Sequence, residues 1–433
     1  MDNRSRTKEP AIARYAGPCL FAIASLVLAA FPLVPQLFGP GKGKDYPLWF
    51  EVGQWVLQGR ELYDEQFRFL YTPFAALILA GFSYFGQTGT VVLLTIVNIS
   101  SWFITIKTSD RLAAEIRPLP WWAPIIPSSL SIFFVYDIFL LGQPNLMLLA
   151  LMLCGFCLLQ VGRPSLAGAL FATATAIKAF PITIVPYLVF RRYWCALASM
   201  IAFTLVFLLL VPAPFRGFHR NVEELQVWFQ GMILSRDENN FSHRPERNWG
   251  WKNQSLYVIT HRLTRPVHYR TEGSDEEPVF INLIDLGYKG ADFVYFCVAT
   301  IIGLSFIWLT PARRHRTLRS DAAELAILIC LVLIGSPVTY SYYFVWLLFP
   351  LTVLVYRAVS TTERNVRRRT WTLIGAAMTL FAVGVNSHYL QVAGNSLWAT
   401  ALIVVGLVWH MRLDSSPPSA ANCRRPFHLA ASS

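Results

Sequence analysis

Residues 15–37 read YAGPCLFAIASLVLAAFPLVPQL, an apolar run without a charged side chain. The run is longer than the roughly 20 residues that a helix needs to cross a bilayer, and similar runs recur along nearly the whole chain. Of the 433 residues, 55% are hydrophobic and only 14% are charged. A soluble domain usually has about 25% charged residues, and a β-barrel would show alternating segments of about ten residues. The chain is therefore predicted to be an all-α polytopic membrane protein.

The positions of the apolar runs predict about twelve transmembrane helices. The predicted crossings are 15–37, 71–86, 89–106, 121–141, 145–160, 165–190, 194–213, 290–310, 322–338, 342–357, 371–389 and 395–411. The net charge of +12 sits in short clusters between these runs, which indicates cytosolic loops rather than a nucleic-acid surface. One basic segment, residues 107–118, falls on the outer side in this count and disagrees with it.

The predicted organisation has three parts. They are a cytosolic N-terminus at 1–14, a membrane domain at 15–411 with outer loops at about 38–70 and 214–289, and a disordered cytosolic tail at 412–433.

The first outer loop contains KDYPLWFEVGQWVLQGRELYDEQFRFLYTP, residues 44–73. Aromatic and aliphatic residues at spacings of three and four predict an amphipathic helix at the membrane interface, and a second short helix over Leu62–Phe69. Asp45 is a candidate general base, because partial desolvation of a carboxylate moves its pKa toward the working range. A solvated loop aspartate paired with Lys42 or Lys44 is the alternative. Arg68 is a candidate phosphate contact or a headgroup anchor.

Two interruptions of apolar runs carry polar side chains. The first is GQPN at 142–145, in which Gln143 and Asn145 offer amide groups where the helix is broken, although a simple connector is the alternative. The second is Lys178, far from either end of its run. An intramembrane lysine is costly enough to indicate function, with a lipid phosphate or Asp137 as its partner.

Two further segments belong to the outer face. NWGWKNQSL at 248–256 contains residue types that stack on sugars or bind their hydroxyls, although tryptophan also anchors chains at the interface. GSPVTYSYYFVW at 335–346 is broken by proline and rich in hydroxyl groups. His243 and His261 lack a second pair of ligands, so no metal site is expected.

Taken in order, several motifs resemble glycosyltransferase family 87, which includes polyprenyl-phosphate-mannose-dependent α-mannosyltransferases. The resemblance extends over about residues 15–410. It rests on Asp45, WVLQGRELY at 55–63, YTP at 71–73, GQPN at 142–145, IKAFP at 177–181, NQSL at 253–256 and SPVTYSYYFVW at 336–346.

The resemblance implies a GT-C type fold in the plasma (inner) membrane, with the active site on the extracytoplasmic side. It implies transfer of a hexose, with mannose expected, from a polyprenyl phosphate to a glycolipid or glycan acceptor, by inverting displacement and without a cofactor. Asp45 would be the base. The expected substrate-binding residues are Arg68, Tyr71, Gln143, Asn145, Lys178, Lys252, Asn253, Gln254, Tyr342 and Tyr343. A multi-pass lipid transporter or flippase is the alternative function.

Overall fold

The computed structural model describes residues 11–38, 44–63, 67–113, 119–235, 249–269, 279–312, 315–385 and 387–415. His243, most of the predicted N-terminal segment and most of the predicted tail lie outside these residues.

All regular elements of the described residues are helical. The first half contains α1 (Ala11–Leu37), α2 (Tyr46–Leu57), α3 (Pro73–Ser83), α4 (Gly86–Leu112), α5 (Ile125–Leu130), α6 (Ile132–Leu141), α7 (Asn145–Gln160), α8 (Pro164–Ile177), a 3₁₀ turn (Phe180–Ile184), α9 (Val185–Phe190) and α10 (Trp194–Leu205), which continues as a π turn (Val206–Leu210).

The second half contains α11 (Ala213–Arg216), α12 (Phe218–Phe229), a π turn (Gln230–Leu234), α13 (Leu256–Thr264), α14 (Gly287–Leu309), α15 (Leu318–Gly335), a 3₁₀ segment (Ser341–Leu347), α16 (Leu348–Ser360), α17 (Arg364–Val385), α18 (His388–Val392) and α19 (Asn395–Ser415). Six helical segments of the described residues are long and apolar enough to cross a membrane, and shorter apolar helices accompany them. The prediction of an all-α polytopic membrane protein is confirmed, while the number of twelve crossings stays a prediction.

The helix predicted across 71–86 is wrong in its extent, because α3 covers only Pro73–Ser83 and packs along α2. Gly53 of α2 permits the contact, since a Cβ there would lie 2.5 Å from the carbonyl oxygen of Leu79. Ser83 Oγ donates to the carbonyl of Phe50 at 3.1 Å. With 11 residues, α3 is only about 16 Å long, well short of a bilayer.

The far end of α4 explains the disagreement at 107–118. The hydroxyl of Tyr356 donates to Asp110, near the end of α4. Tyr356 lies thirteen residues after Tyr343 along one continuous helical segment, a distance of about 20 Å. The start of the 107–118 segment therefore lies beside the end of α16, next to the basic cluster at 364–369 that was predicted to be cytosolic.

The predicted single crossing at 165–190 is also wrong, because it consists of two helices that meet at Lys178. This residue has extended backbone, φ −147° and ψ 127°, and Pro181 in the following 3₁₀ turn prevents a continuous helix. Lys178 contacts Asn145 at the start of α7. Arg191, after α9, instead forms a buried ion pair with Glu324 near the start of α15. The chain therefore turns back at Lys178.

The second short helix predicted over Leu62–Phe69 is not formed in its described residues. Phe67 has a φ of 45°, and the backbone at 61–63 and at 67–70 is irregular. Buried side chains hold this segment instead, with the ring of Tyr63 stacked on Phe67 at 5.1 Å.

A buried arginine organises the segment around α13. Arg262 is fully buried and donates to the carbonyls of Trp249, Gly250, Asn253 and Val392. One guanidinium thus satisfies backbone groups of two separate chain segments, which explains the irregular but ordered path of the chain here.

Next to it, His261 Nε2 lies 3.1 Å from Asp292 Oδ1, and His261 Nδ1 accepts from Arg265 Nε at 3.0 Å. Both ring nitrogens are therefore engaged.

Candidate active site

Gly142 makes the turn that brings the GQPN residues to the site. It ends α6 with φ 67° and ψ 30°, in the left-handed region. A Cβ at this position would lie 2.8 Å from Tyr46 Cε1 and 3.1 Å from Trp49 Nε1. Both the backbone conformation and the close approach require glycine, and the turn places Gln143 and Asn145 at the start of α7.

Two aromatic side chains fasten α2 onto the end of α6. Tyr46 Oη donates to the carbonyl of Phe139 at 2.6 Å, and Trp49 Nε1 donates to the carbonyl of Leu141 at 3.1 Å. Asp45 immediately precedes Tyr46 and forms the N-terminal boundary of α2. This docking therefore sets the position of the Asp45 backbone.

A series of hydrogen bonds connects Asp45 with Lys178. Gln143 Nε2 donates to Asp45 Oδ2 at 2.9 Å, and Tyr71 Oη donates to Gln143 Oε1 at 2.7 Å. Lys178 Nζ lies 3.5 Å from Tyr71 Oη, at the limit of a hydrogen bond. The structure thus brings together side chains that are as far apart in sequence as the start of α2 and the end of α8.

Lys178 lies among an amide and several aromatic rings. Its Nζ donates to Asn145 Oδ1 at 3.3 Å. The same atom is 4.2 Å from the ring centroid of Tyr343 and 5.4 Å from that of Tyr342. These ring faces attract the ammonium through their negative π-electron density.

The surroundings of Lys178 suit an anion. Asn145 Oδ1 accepts from the ammonium, while the nitrogen of the same amide, Asn145 Nδ2, is buried and has no hydrogen-bond partner among the described residues. A buried donor without a partner costs about 1–3 kcal/mol. Asn145 is also the first residue of α7, a helix of 16 residues whose N-terminus attracts negative charge.

An apolar pocket of about 70 Å³ adjoins the polar side chains. Tyr71 and Gln143 form part of its wall, and Ile177 brings the wall next to Lys178. Its remaining lining is Trp49, Ala75, Ile78, Leu79, Phe82, Leu94, Val97, Asn98, Gly142, Pro144 and Met147. A cation and an apolar pocket therefore lie side by side.

Arg68 is engaged with α2. Its guanidinium pairs with Glu51 at 3.5 Å and lies 5.1 Å from the ring of Trp55. Both partners of the ion pair are about half exposed, so it contributes little to stability.

The residues predicted in NQSL belong to the segment organised by Arg262. Asn253 is fully buried, and its Oδ1 accepts from the backbone N–H of Thr339 at 3.0 Å. Gln254 donates to the carbonyls of Trp251 and Gln391 at 2.7 and 2.6 Å. Lys252 is exposed and lies over Trp251. The two amides thus bind the protein's own backbone.

Two features differ from the sequence interpretation. The expected pairing of Lys178 with Asp137 is not formed among the described residues, because Lys178 instead contacts Asn145, Tyr71 and the neighbouring aromatic rings. Asn98 of α4, which lines the pocket, was missed. The sequence does show an amide side chain inside the apolar run at 89–106. It was not predicted as a site residue because no break in the helix accompanies it.

The model of glycosyltransferase family 87 matches residues 69–337. The chain belongs to glycosyltransferase family 87. The match covers more than half of the chain, and includes Tyr71, Gln143, Asn145 and Lys178 but not Asp45 or Tyr343. This family 87 member is therefore a membrane glycosyltransferase, and the resemblance inferred from the motifs is confirmed.

Two solved structures are similar to the family 87 chain, both of ArnT from Cupriavidus metallidurans. The structure bound to undecaprenyl phosphate is 12% identical and the apo structure 14% identical, each with a TM-score of 0.43. Each match covers 92% of this chain and 78% of the other. No curated protein matched by sequence.

Proposed function

We propose that the protein transfers a hexose, with mannose as the expected sugar, from a polyprenyl-phosphate-linked donor to a glycolipid or glycan acceptor. The reaction takes place on the extracytoplasmic side of the plasma (inner) membrane, within a GT-C type fold. The observation that carries this proposal is the series of hydrogen bonds between the Asp45 carboxylate and the Lys178 ammonium. The ammonium lies beside an apolar pocket.

The proposed chemistry is a single displacement. An acceptor hydroxyl attacks the anomeric carbon while Asp45 removes its proton, so that a new C–O bond forms on one face of the sugar. The bond from the anomeric carbon to the phosphate oxygen breaks on the opposite face. The anomeric configuration inverts, and the bonding electrons leave with the lipid phosphate.

The leaving phosphate is proposed to bind at Lys178 and Asn145. The ammonium stabilises the additional negative charge, and Asn145 Nδ2 supplies a donor that the protein itself does not use. The N-terminus of α7 adds its partial positive charge. Tyr342 and Tyr343 would complete the wall around the phosphate.

The lipid part of the donor is proposed to enter the apolar pocket beside Tyr71. Its aliphatic lining buries hydrocarbon while the phosphate remains at Lys178, which fits an amphiphile with an anionic head. Roles for Arg68 and Lys252 at the phosphate, and for Asn253 and Gln254 at the sugar, stay predictions.

The test uses purified protein in nanodiscs, a radiolabelled polyprenyl-phosphate mannose and a membrane lipid extract as acceptor. Asp45→Asn is expected to lower kcat by about 10²–10⁴-fold, the usual contribution of a general base. The control is Asp285→Asn, which alters an exposed outer-loop carboxylate that accepts from Gly287 N–H.

Equal rates for Asp45→Asn and wild type would refute the proposed base. If the wild type consumes no donor but moves the lipid across liposomes, the protein is a transporter of these lipids instead.

A further inference from the structure

The series of hydrogen bonds has a carboxylate, Asp45, at one end and an ammonium, Lys178, at the other. The chemistry of these two ends dictates how the Gln143 amide between them is oriented. An ionised carboxylate only accepts hydrogen bonds and an ammonium only donates them. With Asp45 at one end, the amide nitrogen of Gln143 must face the carboxylate, so its oxygen faces Tyr71. Tyr71 then donates to that oxygen, and its own oxygen accepts from Lys178. All donors in the series point toward Asp45.

The two central residues are held from outside the series. Tyr71 and Gln143 are both less than a tenth exposed. The carbonyl of Tyr71 accepts from Tyr63 Oη at 2.7 Å, and the ring of Tyr71 meets Trp49 edge to face at 5.3 Å. Gln143 follows the left-handed Gly142, whose backbone is packed against Tyr46 and Trp49. Their side chains are therefore rigid supports.

We infer that the polar groups of Gln143 and Tyr71 are positioning groups, which orient the Asp45 carboxylate and tie it to the phosphate-binding Lys178, rather than contacts of the sugar or the phosphate. The inference rests on the proposed function and alters the role that the sequence indicated for these two residues. Their interactions are already made without substrate, so their loss acts on the base and hence on turnover.

Tyr71→Phe tests this inference with the smallest change. It keeps the ring beside Trp49 and Lys178 but removes the hydroxyl that joins Gln143 to Lys178. We expect kcat to fall about 10- to 100-fold while KM for the donor changes by less than about threefold. Gln143→Leu, which removes the donor to Asp45 itself, should lower kcat at least as much.

A double-mutant cycle separates positioning of Asp45 from other effects. In the Asp45→Asn background, where the base is already lost, Gln143→Leu should lower kcat by no further factor. An independent substrate contact would instead lower the rate by the same factor in both backgrounds.

Tyr356→Phe is the matched control, since it removes a buried hydroxyl that donates to Asp110 at the other end of the bundle. It should leave kcat unchanged. The inference is overturned if Tyr71→Phe raises the donor KM at constant kcat, if it only lowers the melting temperature as the control does, or if the cycle is additive. A wild type that transfers no sugar refutes the proposed function, and the inference with it.

Discussion

Gly142→Ala is expected to damage both stability and turnover, because it strains the turn and pushes α2 off α6. An alanine in the left-handed region costs about 1–2 kcal/mol. The new methyl group would also lie 2.8 Å from Tyr46 Cε1 and 3.1 Å from Trp49 Nε1. Overpacking of this kind typically costs about 1–3 kcal/mol, so the free energy of unfolding should fall by about 2–5 kcal/mol in all.

The loss of turnover follows because the rings of Tyr46 and Trp49 fix the position of Asp45. Tyr46 and Trp49 bind the carbonyls of Phe139 and Leu141, and Asp45 is the residue before Tyr46. A displacement of about 1 Å at a reacting group can lower the rate about 100-fold. We therefore expect kcat to fall by about two orders of magnitude.

Gly162→Ala is a matched control. Gly162 also has a positive φ, 75°, but no atom lies within 4 Å of a Cβ placed there. This variant should therefore lose only the backbone term of about 1–2 kcal/mol and keep wild-type turnover. Thermal unfolding in detergent and the sugar-transfer assay measure both quantities. Equal losses of stability or equal kcat values in the two variants would refute the argument from the close contact.

Two further predictions concern charged groups. Lys178→Met should raise the donor KM about tenfold or more, because a charge-assisted contact with the phosphate is lost. Lys289→Met, which changes an exposed lysine near the start of α14, should leave the donor KM unchanged, and equal effects in donor titrations would count against Lys178 as the phosphate site. Burial and then Arg265 lower the pKa of His261. Below about pH 6.5 the unfolded chain therefore binds a proton at this imidazole, while the folded protein keeps it neutral. Stability should thus be level above about pH 6.5 and fall as the pH drops below that value. His261→Gln should abolish this fall in thermal unfolding, and an unchanged pH dependence would contradict the assignment.

The membrane class and several residues of the candidate site were predictable because each has a local cause. Bilayer thickness dictates the length of apolar runs, and the predicted limits of 145–160 coincide with α7. Lys178 and the GQPN break stood out because charge and irregular backbone are costly in hydrocarbon. These signals need no knowledge of tertiary contacts.

The errors came from tertiary packing that composition does not contain. The run at 71–86 has the hydropathy of a crossing, but Gly53 lets it pack along α2. The continuous apolar character of 165–190 concealed the reversal at Lys178, where contacts with Asn145 and Tyr71 stabilise extended backbone. The orientation of Gln143 likewise depends on partners from distant segments, so the sequence indicated the residue but not what it does.

The reversal at Lys178 has a consequence for the membrane itself. Helices α7 and α8, which bring Asn145 and Lys178 to one end of the bundle, contain 16 and 14 residues and are about 24 and 21 Å long. The hydrocarbon core of a bilayer is about 30 Å thick. Their two ends cannot both reach the headgroup layers of such a membrane, so the bilayer thins beside them or one of the two ends lies below its surface. With thinning, or with Lys178 at the lower end, the proposed lipid phosphate would reach the ammonium sideways by a short path, without its hydrocarbon chain leaving the lipid.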